Sequence, residues 1–246
     1  MIDSHTHLFI AGYLALSKMA KAGYNGVIQC AFIPVRPTGS STFKDLFDWI
    51  VYAEEDRCNK VGLRSCPAVG IHPRCIPLTE YKKCLSIVEE YLGLEKVKAL
   101  GEVGLEEGSE KEVRLLVDQL KIAIKLDKPA IVHTPRRNKK AVTEKLISVL
   151  KGVGINEDRV VIDHINEEVF DIIRRERFYI GLTIQPGKLT VGRAIKLIEK
   201  LDKDRILINS DVGREDSDPL AIYKLFKRLA SRKIIYDNPR KFFNLS

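Results

Sequence analysis

Each of the five histidines in this chain lies in or beside a stretch that reads as a β-strand. The first two form a His-x-His pair, His5 and His7, inside "IDSHTHL". In an extended strand, residues i and i+2 point to the same side. The pair would therefore aim two imidazoles at one point, as a metal ion requires. His72 follows a third strand pattern, and His133 and His164 close a fifth and a sixth. Two carboxylates share this placement, Glu102 in "KALGEVGL" and Asp211 in "RILINSDVG". Both sit in apolar runs, where an unpaired charge is costly. One histidine or carboxylate at a strand end is ordinarily a hydrogen-bonded structural residue. A converging set of them repels or stays unsatisfied, and divalent cations relieve that directly. Imidazole and carboxylate donors suit zinc, manganese, iron or nickel without any cysteine. Four histidines with two carboxylates are too many for one tetrahedral ion and match two ions sharing a carboxylate.

Convergence depends on the elements that carry these residues. Short β-branched runs at 2–8, 26–33, 63–71, 97–104, 130–134, 159–165, 178–184 and 205–211 alternate with stretches of helical periodicity. Apolar residues recur at spacings of three and four in 43–60, 110–127, 191–202 and 219–230. Pro219 would open the last of these helices, with Ser217 or Asp218 as its cap. Eight strand–helix units predict a parallel sheet. In 246 residues, they fit a single-domain α/β fold, a closed (β/α)8 TIM barrel spanning 1–246, better than an open doubly wound sheet. No Gly-x-Gly-x-x-Gly follows the first strand, which argues against a dinucleotide site. The closing "DNPRKFFNLS" reads as a last short helix. In a barrel, all these strand ends ring one mouth, the face that carries catalysis in this fold.

Composition sets the setting. Apolar residues make up 45% of the chain, enough for a substantial core. No apolar run reaches the roughly 18 residues of a membrane span. The first strand begins at once, leaving no room for a cleaved leader, so a cytoplasmic protein without membrane contact is expected. The five cysteines are odd in number and form no Cys-x-x-Cys, which favours reduced, buried thiols over a disulfide framework or zinc ribbon. Scarce glutamine and methionine beside abundant Lys and Glu give a thermophile-like composition, in which a disulfide would be less surprising. The formal charge of +8 favours anionic partners, phosphorylated small molecules or nucleic acid.

The motifs "DSHTHL" (3–8), "VGIHP" (69–73), "GEVGL" (101–105), "IVHT" (131–134), "DHIN" (163–166), "NSD" (209–211) and "NPRKFF" (238–243) run along nearly the whole chain. In order and spacing, the chain resembles the TatD-like metal-dependent hydrolases of the amidohydrolase superfamily. The resemblance implies that His5, His7 and Asp211 hold one divalent metal ion and His133 and His164 the other. Glu102 would bridge them, and His72 would contact substrate or transition state nearby. Zinc is the first expectation for both ions, with manganese, iron, nickel or magnesium as alternatives. The chain departs from the family where Asn209-Ser210-Asp211 replaces Glu-Thr-Asp, where Glu106 replaces Asp, and where Thr134-Pro135-Arg136-Arg137 replaces a Ser-Arg sequence. These changes touch substrate choice and point to a divergent, archaeal-type branch.

Two cations at one mouth imply hydrolysis, because they lower the pKa of water toward neutrality and polarise the bond under attack. Asp211 would take the water proton and pass it to the leaving group, and His72 would stabilise developing negative charge. The substrate signal is "HTPRRNKK", residues 133–140. Positive charge is unfavourable at a helix N-terminus, so helix stability does not explain Arg136, Arg137, Lys139 and Lys140. A bound anion does. Arg74, Lys188 and Arg214 would join from other loops. This favours a phosphoester, in a nuclease or a phosphoesterase. Aromatic residues look sparse in these loops, giving base stacking little support. Three alternatives stand: an amidohydrolase cleaving an amide or lactone bond, a non-catalytic nucleic-acid-binding barrel, and a PHP-type phosphatase. The last also starts with His-x-His but normally needs more histidines.

Overall fold

The computed structural model describes residues 1–213 and 216–245. Eight parallel strands follow one another round the molecule in chain order: β1 (Ile2–Thr6), β2 (Gly26–Cys30), β3 (Arg64–Val69), β4 (Ala99–Gly104), β5 (Ala130–His133), β6 (Val160–Ile162), β7 (Tyr179–Thr183) and β8 (Ile206–Asn209). Their runs of Val, Ile, Leu and Ala are buried almost throughout, as parallel strands covered on both faces must be. Between them come α1 (Tyr13–Lys21), α2 (Ser40–Asp48), α3 (Glu54–Asn59), α4 (Tyr81–Leu92), α5 (Glu110–Lys125), α6 (Lys139–Val153), α7 (Phe170–Ile173) and α8 (Val191–Ile198). After β8 follow α9 (Ala221–Leu229) and α10 (Asn238–Phe242). This is the single-domain (β/α)8 barrel that the alternation predicts.

The barrel closes at its carboxyl end. The Asp211 N–H donates to the His5 carbonyl at 3.1 Å, and the His7 N–H donates to the Val212 carbonyl at 2.7 Å. Deeper in the seam, the Ser4 hydroxyl donates to the Ile208 carbonyl at 2.8 Å. The lower barrel interior is apolar: Ile28, Cys66, Ile131, Val161 and Tyr179 pack on Phe242, at the end of α10, and Phe243, just past it, which plug the amino-terminal end. The larger apolar layer lies outside, between strands and helices, where Val27, Leu100 and Val132 meet Leu16, Phe47, Leu120 and Leu146. Only the upper interior is polar, so the barrel gathers its buried polar side chains at one end.

Every strand stops one to three residues short of at least one end of the expected run, and the chain turns there instead. The expected helix over 43–60 is broken: a π-helical turn, Trp49–Ala53, separates α2 from α3. The helix expected over 191–202 ends at Ile198, because the Asp202 side chain accepts the Asp204 N–H and starts a separate 3-10 turn. Pro219 does not open α9. Asp218 accepts the Leu220 N–H at 3.0 Å and makes a turn that holds Pro219 outside a helix beginning at Ala221. All five cysteines are free and buried. No helix among the described residues is long and apolar enough to cross a membrane.

Candidate metal centre

The barrel brings together all five histidines, Glu102 and Asp211. His5 lies within β1, His7 just beyond it, Glu102 within β4 and His133 at the last position of β5. His72, His164 and Asp211 stand two or three residues past β3, β6 and β8. His164 and Asp211 have left-handed backbones, with φ of 63° and 49°. Each such residue costs roughly 1–3 kcal/mol, and such residues cluster at functional sites.

Glu102 is the hub. Its Oε1 lies 2.9 Å from His133 Nδ1 and 3.0 Å from His164 Nε2. Its Oε2 lies 3.4, 3.6 and 3.7 Å from Nε2 of His5, His7 and His72. Asp211 Oδ1 lies 3.3 Å from His7 Nε2 and 3.9 Å from His5 Nε2. Burial works to raise the Glu102 carboxyl, but His5, His72, His133 and His164 outweigh it and hold it well below the usual carboxylate range.

The outer nitrogens decide which lone pairs face inward. His5 Nδ1 pairs with Asp163 Oδ2 at 2.6 Å, and His7 Nδ1 donates to the Cys30 carbonyl at 2.7 Å. In the neutral rings these contacts leave each Nε2 unprotonated and facing the other, 3.3 Å apart and beside two carboxylates. Facing lone pairs and carboxylates repel unless a cation lies among them, so this donor set fits a divalent metal. His164 Nδ1 meets the Thr183 hydroxyl at 2.7 Å, an acceptor that leaves its Nε2 free for the centre. His72 differs: its Nδ1 accepts the Arg74 N–H at 3.1 Å. Its proton is therefore on Nε2, facing Glu102, and burial keeps the ring neutral. That makes His72 a donor to negative charge. Three groupings have donor atoms close enough for an ion: His5, His7 and Asp211; His5, Glu102 and His164; and His72, Glu102 and His133.

Two glycines let these groups approach. A Cβ on Gly181 would lie 1.5 Å from Asp163 Oδ1, and one on Gly104, at φ +145°, would lie 2.5 Å from the His133 carbonyl oxygen.

The centre opens to a cavity of about 160 Å3. Arg74, Arg136, Lys139 and Lys188 line it. Lys188 Nζ pairs with Asp211 Oδ2 and lies 3.1 Å from His164 Nδ1. Burial favours the neutral Asp211 carboxyl, yet Lys188, His7 and His5 together hold it well below the carboxylate range. Lys139 is no solvated loop residue: it is 4% exposed, donating to Thr134 Oγ1 at 2.6 Å and the Pro135 carbonyl at 3.0 Å. Burial, and then Lys188, push its ammonium down to about 7. Arg137 and Lys140 are exposed and do not line the cavity; Arg214 lies outside the described residues.

Glu106, Asp163 and Lys139 carry more of the site than their sequence positions suggest. Glu106 Oε2 lies 2.8 Å from His133 Nε2. Its loop is held because the Glu112 carboxylate accepts the N–H groups of Glu106, Glu107 and Gly108 at 3.0, 3.0 and 2.8 Å. Ser109, capping α5 with Glu112 three residues on, was the available signal for that loop.

The TatD-related DNase family model matches residues 2–228. An uncharacterised metal-dependent hydrolase of Methanocaldococcus jannaschii is 35% identical over 254 aligned residues, covering 100% of both chains. The crystal structure of a TatD-like protein from Archaeoglobus fulgidus superposes with a TM-score of 0.86 at 34% identity, over 99% of this chain and 100% of that one. A phosphotriesterase homology protein from Escherichia coli, crystallised with phosphate in its active site, shares the fold at 14% identity (TM-score 0.69, 98% of each chain).

Proposed function

The chain belongs to the TatD-related DNase family and is a metal-dependent hydrolase, and from that premise we propose that it hydrolyses a phosphoester at a two-ion centre. His5, His7 and Asp211 would hold one ion and His133 and His164 the other, with Glu102 shared between them; zinc is the metal proposed first. When bound, the ions supply Lewis-acid polarisation and a water of lowered pKa. The observation that carries the phosphoester reading is the cationic wall of Arg74, Arg136, Lys139 and Lys188 round the cavity. Two arginines at the rim, with Lys188 and buried Lys139 beside them, favour an anionic group over an uncharged one.

The protein's own groups have separable tasks. Arg74 and Arg136 orient the anion from the rim. His72, with its proton on Nε2, donates to charge that develops on the substrate. Asp211 accepts a proton from water and returns it to the leaving group. A carboxylate held so low is a weak base, so this task needs Lys188 drawn away from Asp211 toward the substrate anion. Lys188 then couples substrate binding to proton transfer.

The test combines metal content and bond type. About two ions per chain by elemental mass spectrometry, falling by about one in His133→Ala/His164→Ala, support the centre. The loaded enzyme is then given phosphomonoesters, phosphodiesters and uncharged lactones. Turnover of lactones alone, unaffected by Arg136→Ala, overturns the phosphoester reading in favour of the amide or lactone alternative. Metal-free protein that stays so after incubation with zinc or manganese overturns the centre itself.

A further inference from the structure

We propose that an apolar groove next to the metal centre seats a planar aromatic group carried by the substrate; the proposal rests on the phosphoester reading for the other half of that molecule. The groove encloses about 400 Å3, within the roughly 300–1,000 Å3 of small-molecule sites. Phe9, Ile10, Phe32, Ile33, Leu46 and Trp49 form its apolar walls. Ile10 and Phe32 also line the cavity over the metal centre, so the two spaces adjoin across a shared wall. Phe32 stands at the junction, with its ring centroid 5.5 Å from that of His7, 5.1 Å from that of His72 and 5.3 Å from the Arg74 guanidinium. Cations line one side of this wall and aromatic rings the other. A ligand that satisfies both sides carries an anionic ester and, beyond it, a flat apolar ring.

Trp49 is built as a platform. It is 45% exposed, yet its indole N–H donates to Oε1 of buried Glu54 at 3.1 Å. Arg57 holds Glu54 and donates to the carbonyls of Leu8 and Ala11, on the loop that carries Ile10. Phe9 meets the indole edge-on at 5.5 Å and 77°. Trp49 also begins the π-helical turn between α2 and α3, a distortion frequent at functional sites. An exposed aromatic face held on one edge loses little freedom when a ring stacks on it. The charged side chain on the groove is Asp45, which repels a second phosphate. The occupant is therefore a single ring of the substrate rather than the continuation of a polyanionic strand.

Trp49 is the one tryptophan of the chain, so its fluorescence reads the groove directly. Metal-loaded protein is titrated with thymidine 5'-monophosphate, p-nitrophenyl phosphate, glycerol 3-phosphate and inorganic phosphate. Quenching by the first two and none by the last two supports the subsite; equal responses, or none, overturn it. KM for p-nitrophenyl phosphate and glycerol 3-phosphate is measured in the native protein and in Trp49→Ala and Trp49→Phe. Stacking predicts a rise of about tenfold for the aryl ester in Trp49→Ala, little change for the alkyl ester and recovery in Trp49→Phe. Unchanged KM for both esters overturns the subsite while leaving the hydrolase reading intact. Absence of turnover on every phosphate ester sinks the phosphoester reading alone, because the fluorescence titration still decides the subsite. A concentration-dependent emission shift without ligand, with dimers in sedimentation, assigns the groove to a second copy and overturns the proposal. A thymidine response without a nitrophenyl response narrows the ring to a nucleobase, and the converse to a simple aryl group; either result keeps the subsite.

Discussion

His133 Nε2 lies 2.8 Å from Glu106 Oε2 on the side of the ring away from Glu102. Burial opposes a charge on this ring, but Glu102 and Glu106 together raise it above the ordinary histidine range. With Nε2–H given to Glu106, Nδ1 is the atom that faces the centre. Glu106→Ala should weaken metal binding at the His133 side by roughly 10–100-fold, the usual cost of losing a carboxylate behind a ligating histidine. Chelator competition on the native protein and the variant checks this; equal affinities would show that Glu106 only neutralises charge.

Removal of metal should loosen the mouth. Inward-facing lone pairs of His5 and His7 beside two carboxylates are stable only with a cation or a proton among them. Chelated protein is expected to unfold at a lower temperature, and zinc or manganese should restore the transition in a concentration-dependent way. Calorimetry with and without chelator makes the measurement, and identical transitions would count against a metal among these residues.

Lys139 predicts a pH effect of definite sign. Its ammonium is pushed from 10.5 to about 7 in the folded protein. Between those values, the unfolded chain binds more protons than the folded one, so stability rises with pH across that window and levels off above it. Lys139→Met should remove this rise, and the difference between the two proteins in chemical denaturation from pH 6 to 10 isolates it from other groups. Loss of the buried amine should also raise KM for an anionic substrate.

Gly181→Ala should destabilise the protein by roughly 1–3 kcal/mol, the common cost of overpacking, because the new methyl would meet Asp163 Oδ1 at 1.5 Å. Asp163 cannot yield without releasing His5 Nδ1. A fall in both denaturation midpoint and metal affinity is expected, whereas a change in stability alone would separate Asp163 from metal binding.

The period-two rule made His5 and His7 readable as a pair, and the apolar strand runs placed Glu102 and Asp211 at one end of a barrel. What remained hidden depends on turns. Lys139 points inward because Asn138 adopts a left-handed backbone, with φ 45°, and nothing in "HTPRRNKK" separates it from its exposed neighbours. Glu106 reaches His133 through a loop folded by Glu112, a tertiary effect visible locally only as a cap. The aromatic groove was obscured for a different reason. Phe9, Phe32 and Trp49 come from three separate segments, and a helical pattern over 43–60 conceals the π turn that begins at Trp49. The loops that carry Arg74, Arg136 and Lys188 are poor in aromatic residues, as expected; the groove draws its rings from other segments.

The seam between β1 and β8 ties these threads together. His7 and Asp211 both present side chains to the proposed metal centre and both give their backbone amides to closing the barrel. These residues lie near opposite ends of the chain, so their meeting is a long-range loop closure, slow to form. Ion occupancy then acts as a clasp on a hoop, with strand pairing and coordination gripping the same two residues. The amide protons of His7 and Asp211 should exchange with solvent more slowly when the clasp is filled, making two backbone hydrogens a built-in gauge of whether the barrel is loaded.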